Sequence, residues 1–201
     1  MRKREIGIFS GSFNPIHNGH LMLASYLSEF TYLEEVWFVV TPHNPLKDTA
    51  ILIDDGARLE MVKIAVEAYD RLLVSDVEFN MPRPSYTVNT LKELSGNYPD
   101  VNFTLIIGAD NWVVFDRWKN ADEIINNYKI LIYPRPGVEI VIPDLYRKTV
   151  QAVDAPLIEV SSTFIRKSIS KGKNMQAFVP VKVYEFIKEN QLYLLSDSSE
   201  S

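Results

Sequence analysis

The chain has 201 residues and no cysteine, and this absence excludes several chemistries at once. Without thiols the protein can have no disulfide framework, no thiolate nucleophile and no cysteine-based zinc or iron–sulfur site. Any metal that it uses is therefore expected to be held by oxygen. Zinc is also disfavoured because the two neighbouring histidines, His17 and His20, lack an obvious third ligand.

Long apolar runs and long basic runs are missing as well. No segment approaches the roughly 20 apolar residues of a membrane-spanning helix. The basic start Met1 to Arg4 is followed by only four apolar residues before a polar turn, which is too short for a secretion signal. A net charge of −5 and a pI near 5.3 predict a surface that repels nucleic acids. We therefore expect a cytoplasmic protein with no membrane or nucleic-acid partner.

The length of 201 residues suits one α/β domain, and the apolar residues, 46% of the chain, are ample for a core on both sides of a sheet. Apolar, β-branched runs alternate with helical patterns, which is typical of βαβ units and a parallel sheet. The predicted strands are 6–9, 36–40, 72–74, 103–107, 130–133 and 157–160. The predicted helices are 21–30, 54–69, 85–94, 121–127, 143–152, 161–170 and 181–190. We expect a Rossmann-like doubly wound sheet with helices on both faces and a small helical C-terminal part, as one domain over residues 1–195 with a disordered tail at 196–201.

A strand, a turn of small residues and a helix start follow one another between Ile6 and His20. In the turn Ser10-Gly11-Ser12 the small side chains let backbone N–H groups approach an anion. After Pro15, His17 and His20 are three residues apart and would share one side of a first helical turn, where the helix dipole favours phosphate. A glycine-containing turn alone is more often a plain βα connection, but the combined pattern predicts a nucleotide-phosphate site.

Two further segments follow predicted strands, and the carboxyl ends of parallel strands meet at one edge of a sheet. The segment 41–47 ends in Lys47, which neighbouring prolines would stiffen for contact with a phosphate; the alternative is an ordinary surface lysine. The run Ser85-Tyr86-Thr87 leads into a helix whose free N–H groups could bind a carboxylate. The alternative is that one of these hydroxyls only caps the helix.

After the fourth predicted strand come a small turn with Gly108 and Asp110 and two tryptophans, Trp112 and Trp118. An indole there could stack on a flat heterocycle, although core packing is the better explanation for Trp112. All of these residues again fall at the carboxyl edge of the predicted sheet.

The last candidate segment is 159–166. Three hydroxyl residues, Ser161, Ser162 and Thr163, open a predicted helix, and Arg166 lies one turn further on. Hydroxyls, free amides and a guanidinium together predict a second anion site. The alternative is a plain helix cap with a surface arginine.

The first motif closely resembles the (T/S)FxPxHxGH signature of the nucleotidyltransferase superfamily, with Ser12 where Thr is common and Asn14 where many members have Asp. Over about residues 4–193 the chain resembles the bacterial nicotinate-nucleotide adenylyltransferases. The matching residues are Gly11 to His20, Tyr86-Thr87 with Thr90-Leu91, Gly108-Ala109-Asp110, Trp118, and Val160 to Arg166. The loop after the second strand departs from the family, since Asn44-Pro45-Leu46 precedes Lys47 where Pro-Pro-His is frequent.

This resemblance implies an enzyme that joins ATP and nicotinate mononucleotide into nicotinate adenine dinucleotide and pyrophosphate, with Mg²⁺ carried by ATP and no metal ligands among the side chains. It implies that the catalytic residues are His17, His20 and Arg166. It implies that ATP is bound by Gly11, Ser12, Phe13, His17, Gly19, His20, Gly108, Asp110, Ser162, Thr163 and Arg166. It implies that the acceptor is bound by Lys47, Tyr86, Thr87 and Trp118.

Other functions remain open at this point. The acceptor could be pantetheine phosphate or nicotinamide mononucleotide, or the chain could be a non-catalytic nucleotide-binding module on the same fold. A dinucleotide-dependent oxidoreductase is disfavoured because no G-x-G-x-x-G follows the first strand. The sequence leaves homo-oligomerisation undecided.

Overall fold

The computed structural model describes residues 2–42 and 52–194. Its centre is one sheet of six parallel strands in the order β3-β2-β1-β4-β5-β6, so the predicted α/β class and parallel sheet are confirmed. The strands are β1 (Arg4–Gly11), β2 (Glu35–Val40), β3 (Leu72–Ser75), β4 (Val101–Gly108), β5 (Lys129–Tyr133) and β6 (Val150–Ala152).

Seven α-helices formed by the described residues cover the two faces of this sheet. They are α1 (Asn18–Phe30), α2 (Asp55–Val66), α3 (Thr87–Asn97), α4 (Ala109–Trp112), α5 (Ala121–Asn127), α6 (Ser162–Ile169) and α7 (Val181–Glu189). Short 3₁₀ helices lie at Val77–Asn80, Phe115–Arg117 and Asp144–Tyr146. No helix in the described part of the chain is long and apolar enough to cross a membrane.

The continuous apolar runs of the strands follow from burial on both sheet faces. In β2, Val36, Phe38 and Val40 pack on one side, against α1, α2, α6 and α7. Trp37 and Val39 point to the other side, where α3 and α5 pack. Side chains alternate because successive residues of a strand point to opposite faces.

The strand order fixes where a site can form. From β1 the chain moves outward through β2 and β3, then returns to place β4 on the other side of β1. The loops after β1 and β4 therefore diverge to opposite faces, and a crevice opens between them at the carboxyl ends of the strands.

Two predicted elements were wrong. Residues 143–152 are not a helix: they form the 3₁₀ helix Asp144–Tyr146 and then β6, which pairs with β5 through Ile130 and Val150. Residues 157–160 are not a strand and have no regular secondary structure. The free edge of β5 explains both errors, because it offers hydrogen bonds to β6 that local sequence patterns do not reveal.

A buried arginine ties the loops at the carboxyl edge together. Arg58 of α2 is fully buried, and its guanidinium donates to the carbonyl oxygens of Ser12 at 2.7 Å, Thr41 at 2.8 Å and Pro42 at 2.9 Å. It also pairs with the carboxylate of Asp55. One side chain thus connects the loop after β1, the end of β2 and the start of α2.

We predict that Arg58→Met destabilises the fold by about 3 to 5 kcal/mol, because removing one partner of a buried charged network leaves the others unpaired. Arg58→Lys should also destabilise it, since a lysine keeps the charge but lacks the planar fork. Chemical denaturation measures both effects. The control is Arg147→Met, which removes an exposed arginine paired with the exposed Asp144 and should change the free energy of unfolding by less than about 0.5 kcal/mol. Equal effects of the Arg58 and Arg147 variants would contradict this role of Arg58.

Candidate functional site

Two adjacent cavities open at the carboxyl edge of the sheet. The first, of about 520 Å³, is called the histidine cavity and is lined by Ser12, Asn14, His17, Gly19, His20, Leu52, Arg135, Ile158, Val160, Ser161, Ser162, Thr163 and Arg166, among others. The second, of about 510 Å³, is called the tryptophan cavity and is lined by Ser10, Gly11, Thr41, Glu78, Ser85, Tyr86, Thr87, Gly108, Asn111, Arg117, Trp118 and Lys119, among others. Phe9 and Tyr133 line both cavities and form their common wall.

The two histidines stand at the start of α1. His17 is the residue before the helix, and its backbone N–H donates to Nδ1 of His20 at 3.2 Å. The rings stack with centroids 3.7 Å apart and 24° between their planes. Because Nδ1 of His20 accepts a hydrogen bond, its Nε2 carries the hydrogen and is the donor. The ring of His20 also meets Phe9, on the common wall, at 6.0 Å between centroids.

His17 is held neutral. Its side chain is buried, and this burial, with a smaller contribution from the positive charge of Arg135, lowers the pKa of His17 to about 4. Its Nδ1 is buried and has no hydrogen-bond partner among the described residues. The side chain of His17 also faces the backbone N–H of His20, in a capping-box arrangement at the start of α1.

Two glycines, Gly19 and Gly108, let the backbone pack closely against side chains that line the cavities. A Cβ at Gly19 would lie 3.0 Å from the ring of His17 and 3.1 Å from Ile158, so a larger residue would push α1 away from the segment that closes the histidine cavity. A Cβ at Gly108 would meet Tyr133 and Arg135 at 3.1 Å each. Small residues are therefore required at both positions.

The start of α6 forms the opposite wall of the histidine cavity. Ser161 caps the helix, with its Oγ accepting from the N–H of Phe164 at 3.2 Å. Ser162 donates to the carbonyl oxygen of Pro15 at 2.8 Å, and Arg166 donates to that of Asn14 at 2.7 Å. These bonds tie the N-terminus of α6 to the loop before α1. Two helix N-termini, both electropositive, therefore border one cavity.

The tryptophan cavity is built around the N-terminus of α3. Tyr86 precedes this helix and supplies no side-chain cap. The carboxylate of the buried Glu78 accepts hydrogen bonds from the hydroxyls of Ser85 at 2.6 Å and Thr90 at 2.7 Å. These bonds fix the position of the loop before α3 relative to the first turn of this helix. The hydroxyl of Ser85 therefore bonds to Glu78 and does not cap α3, and the first N–H groups of α3 can still bind a carboxylate.

Aromatic and basic side chains complete this cavity. Trp118 is half-buried and packs against Phe115 at 5.5 Å, and its Nε1 is buried with no hydrogen-bond partner in the described parts of the chain. Lys119 lies over the ring of Tyr86, 4.1 Å from its centroid. Trp112 lines neither cavity; it stacks on Phe115 and donates to the carbonyl oxygen of Val141, which favours the packing interpretation.

The predicted site residues divide between the two cavities. Those in the histidine cavity are Ser12, His17, Gly19, His20, Ser162, Thr163 and Arg166. Those in the tryptophan cavity are Gly11, Gly108, Tyr86, Thr87 and Trp118. Lys47 lies outside the described residues.

Two predicted ATP-binding residues line neither cavity. Phe13 has a positive φ of 43° and a buried ring that packs under His20 with 5.1 Å between centroids, so only its main chain is left for a ligand. The exposed Asp110 pairs with Arg135, with 3.5 Å from Oδ1 to Nε. The binding roles of these two residues stay predictions.

Sequence reasoning missed Arg135. It lines the histidine cavity, lies over the ring of Tyr133 and donates to that residue's hydroxyl at 3.0 Å. The sequence contained a signal for this residue, because Arg135 stands between two prolines directly after β5. The other candidate segments were chosen for the same reason, namely that each follows a predicted strand. With Arg166 it gives the cavity two guanidinium groups. None of the described residues that line it is acidic.

Within residues 2–42 and 52–194, no group of three or more histidine, aspartate or glutamate side chains is arranged to hold a metal ion. The polar lining of the histidine cavity consists instead of hydroxyl, carboxamide, imidazole and guanidinium groups. Such a lining suits an anion whose own oxygens can bring a hard cation with them.

Comparison with known proteins gives a consistent result. Residues 8–168 match the family described as cytidylyltransferase-like. The chain is 53% identical over 187 residues to the "Probable nicotinate-nucleotide adenylyltransferase" of Bacteroides fragilis (strain YCH46), covering 93% of this chain and 92% of that protein. It is 46% identical over 190 residues to the protein of the same name from Flavobacterium johnsoniae, covering 94% and 98%.

Solved structures show the same fold at low identity. Plasmodium falciparum nicotinic acid mononucleotide adenylyltransferase complexed with NaAD superposes with a TM-score of 0.76 at 19% identity, covering 94% of this chain and 97% of that one. A putative nicotinate-nucleotide adenylyltransferase from Vibrio parahaemolyticus gives a TM-score of 0.72 at 22% identity, covering 96% and 97%. With the sequence relatives, these findings establish that the chain belongs to the cytidylyltransferase-like family and, within it, to the nicotinate-nucleotide adenylyltransferases.

Proposed function

We propose that the histidine cavity binds ATP and the tryptophan cavity binds nicotinate mononucleotide, so that the chain joins the two into nicotinate adenine dinucleotide and releases pyrophosphate. The observation that carries this assignment is the common wall of Phe9 and Tyr133. Substrates bound in the two cavities can come into contact only at this shared boundary. The ring of His20 packs against Phe9 at the same boundary.

The triphosphate would lie between the N-termini of α1 and α6. Nε2–H of His20 donates to an oxygen of the α-phosphate, and this role is supported by the bond that fixes Nδ1 as an acceptor. Ser162, Thr163 and Arg166 hold the β- and γ-phosphates from the other side. Burial lowers the pKa of Arg166, but an arginine keeps its charge at neutral pH and remains suited to phosphate.

The acceptor would place its ring against Trp118 and its carboxylate at the start of α3. The amides of Tyr86 and Thr87 then provide charge-assisted hydrogen bonds to the carboxylate. The same site would bind an uncharged carboxamide less well, because that group lacks the negative charge. Lys47 is proposed to meet the phosphate of the acceptor.

In the reaction, a phosphate oxygen of nicotinate mononucleotide attacks the α-phosphorus of ATP in line with the leaving pyrophosphate. The new P–O bond forms as the bond to the bridging oxygen of pyrophosphate breaks, and no covalent enzyme intermediate is required. The protein contributes alignment of the two substrates and hydrogen bonds to oxygens on which negative charge accumulates. His17 stays neutral, stacks on His20 and fixes its orientation.

Enzymes of this kind generally use a divalent metal with ATP, and we propose that Mg²⁺ serves here. The lining of the histidine cavity fits an ion that is bound mainly by phosphate oxygens and water. Bound in that way, Mg²⁺ neutralises part of the charge of the triphosphate. Cytoplasmic location and the single domain with a disordered tail stay predictions.

The direct test is pyrophosphate release from ATP and Mg²⁺ with three acceptors in parallel: nicotinate mononucleotide, nicotinamide mononucleotide and phosphopantetheine. We expect the nicotinate compound to be preferred over the nicotinamide compound roughly 10-fold or more in kcat/KM, the value of a charge-assisted hydrogen bond.

We expect Thr87→Pro to reduce this preference, because proline at the first helical position removes one N–H and leaves the helix intact. Tyr86 has the extended backbone that a following proline requires.

The matched control is Thr87→Val, which removes the hydroxyl but keeps the amide N–H, and should retain the preference. Equal efficiency of the wild-type enzyme with both pyridine nucleotides would overturn the proposed carboxylate site. Preference for phosphopantetheine would instead identify the other adenylyltransferase reaction, and binding of ATP without pyrophosphate release would indicate a non-catalytic module.

For His20→Ala we predict a fall in kcat of roughly 100-fold or more, the scale observed when one preorganised transition-state donor is lost. Met22→Ala is the control, since this side chain lies on the same helix and is 57% exposed. It should leave kcat unchanged. A folded His20→Ala enzyme with near-normal turnover would refute the role of His20.

We predict that His17 makes the ligand-free protein less stable in mild acid. The pKa of His17 lies below its unfolded value, so between pH 6.5 and 4 the unfolded state binds more protons and stability falls as pH falls. The loss attributable to His17 between pH 7 and pH 5 is about 2 kcal/mol. Urea denaturation at the two pH values measures it, with His17→Asn as the comparison. If the variant loses as much stability as the wild type over this interval, His17 is not the group that titrates.

A further inference from the structure

Two residues that follow α7 have unusual backbone angles. Gln191 has a φ of 52° and Tyr193 a φ of 64°, in the left-handed region that side chains with a Cβ seldom occupy. The N–H of Leu192, between them, donates to the carbonyl oxygen of Ile187 at 2.9 Å. Such conformations cost about 1 kcal/mol or more each and persist only where the surrounding structure requires them. Their result is that Tyr193 turns back towards the loop before α1.

There the hydroxyl of Tyr193 donates to Oδ1 of Asn14 at 2.8 Å. Asn14 is buried, with 2% exposure. Burial raises the pKa of Tyr193 well above its usual value, and the positive charges of Arg166 and Arg58 oppose this only in part. The phenol therefore keeps its proton and acts as the donor.

The same asparagine receives the guanidinium of the proposed phosphate ligand. Nη1 of Arg166 donates to the main-chain oxygen of Asn14 at 2.7 Å, and its Nη2 lies 3.3 Å from Oγ1 of Thr163. Asn14 is therefore bonded through its side chain to Tyr193 and through its main chain to Arg166. A phenylalanine at position 193 could fill the same space, but it could not donate this hydrogen bond to Asn14.

We propose that Tyr193 is a positioning residue for ATP: by holding Asn14 it fixes the carbonyl oxygen against which Arg166 is oriented towards the β- and γ-phosphates. This inference rests on the proposed phosphate role of Arg166. Tyr193 itself does not line the histidine cavity, so it acts through the other two residues rather than by touching the nucleotide.

The test is equilibrium binding of ATP and of AMP, with Mg²⁺ present, to the full chain and to its Tyr193→Phe variant. We expect Tyr193→Phe to weaken ATP binding roughly 10-fold, the scale of one hydrogen bond lost from a buried network. AMP lacks the two outer phosphates, so its affinity should change by less than about 2-fold. In an Arg166→Ala background, Tyr193→Phe should have no further effect on ATP binding, since coupled residues are not additive.

Tyr184→Phe is the matched control, because Tyr184 of α7 is half-buried in the same part of the core and lies outside the histidine cavity. It should bind ATP as the wild type does. The inference is overturned if Tyr193→Phe binds ATP normally, if it loses ATP and AMP equally, or if its effect adds fully to that of Arg166→Ala.

Failure of the proposed function looks different. Wild-type protein that makes no nicotinate adenine dinucleotide from ATP and nicotinate mononucleotide would refute the activity, whatever the Tyr193 variant does. Normal ATP binding by Arg166→Ala would refute the role of Arg166, and the inference about Tyr193 with it.

Discussion

The buried guanidinium of Arg58 connects the loops at the carboxyl edge of the sheet, where both cavities lie. Three of the main-chain oxygens that Arg58 contacts belong to the loop after β1 and to the residues directly after β2, which are separate in sequence and would otherwise be free to move apart. Burial of an unpaired charge is very costly, so the arginine is stable in the core only while these oxygens stay where they are. The arginine therefore holds the loops in place, and the loops in turn stabilise the buried arginine. Both cavities depend on these bonds, because Ser12 lines one cavity and Thr41 lines the other.

The histidine pair shows how burial controls charge in the cavity that we propose binds ATP. Two protonated imidazoles whose centroids are 3.7 Å apart would repel each other. Burial keeps His17 neutral, so the stack orients His20 without charge repulsion between the rings. The positive potential of the cavity comes instead from Arg135, Arg166 and two helix N-termini. Orientation and charge are thus supplied by different groups.

The proposed phosphate-binding end of the site is assembled from residues near the start and near the end of the described part of the chain. Asn14 follows β1, Arg166 lies in α6 and Tyr193 follows α7, yet hydrogen bonds of 2.7 and 2.8 Å join them. The C-terminal helices pack on the same sheet face as α1 and α2, which brings these distant residues together. The helical C-terminal part is therefore a component of the ATP site that we propose.

The sequence alone determined the local features: the parallel sheet, the turn before α1 with its two histidines, and the hydroxyl-rich start of α6. The sheet follows from the alternation of strand and helix patterns along the chain, and the other two features follow from turn and capping chemistry within about ten residues. The tertiary structure decided β6, which depends on the free edge of β5, and the contacts of Arg58, Arg135 and Tyr193. Those contacts join residues far apart in the chain, and no local pattern records which distant carbonyl or amide oxygen a buried donor will meet.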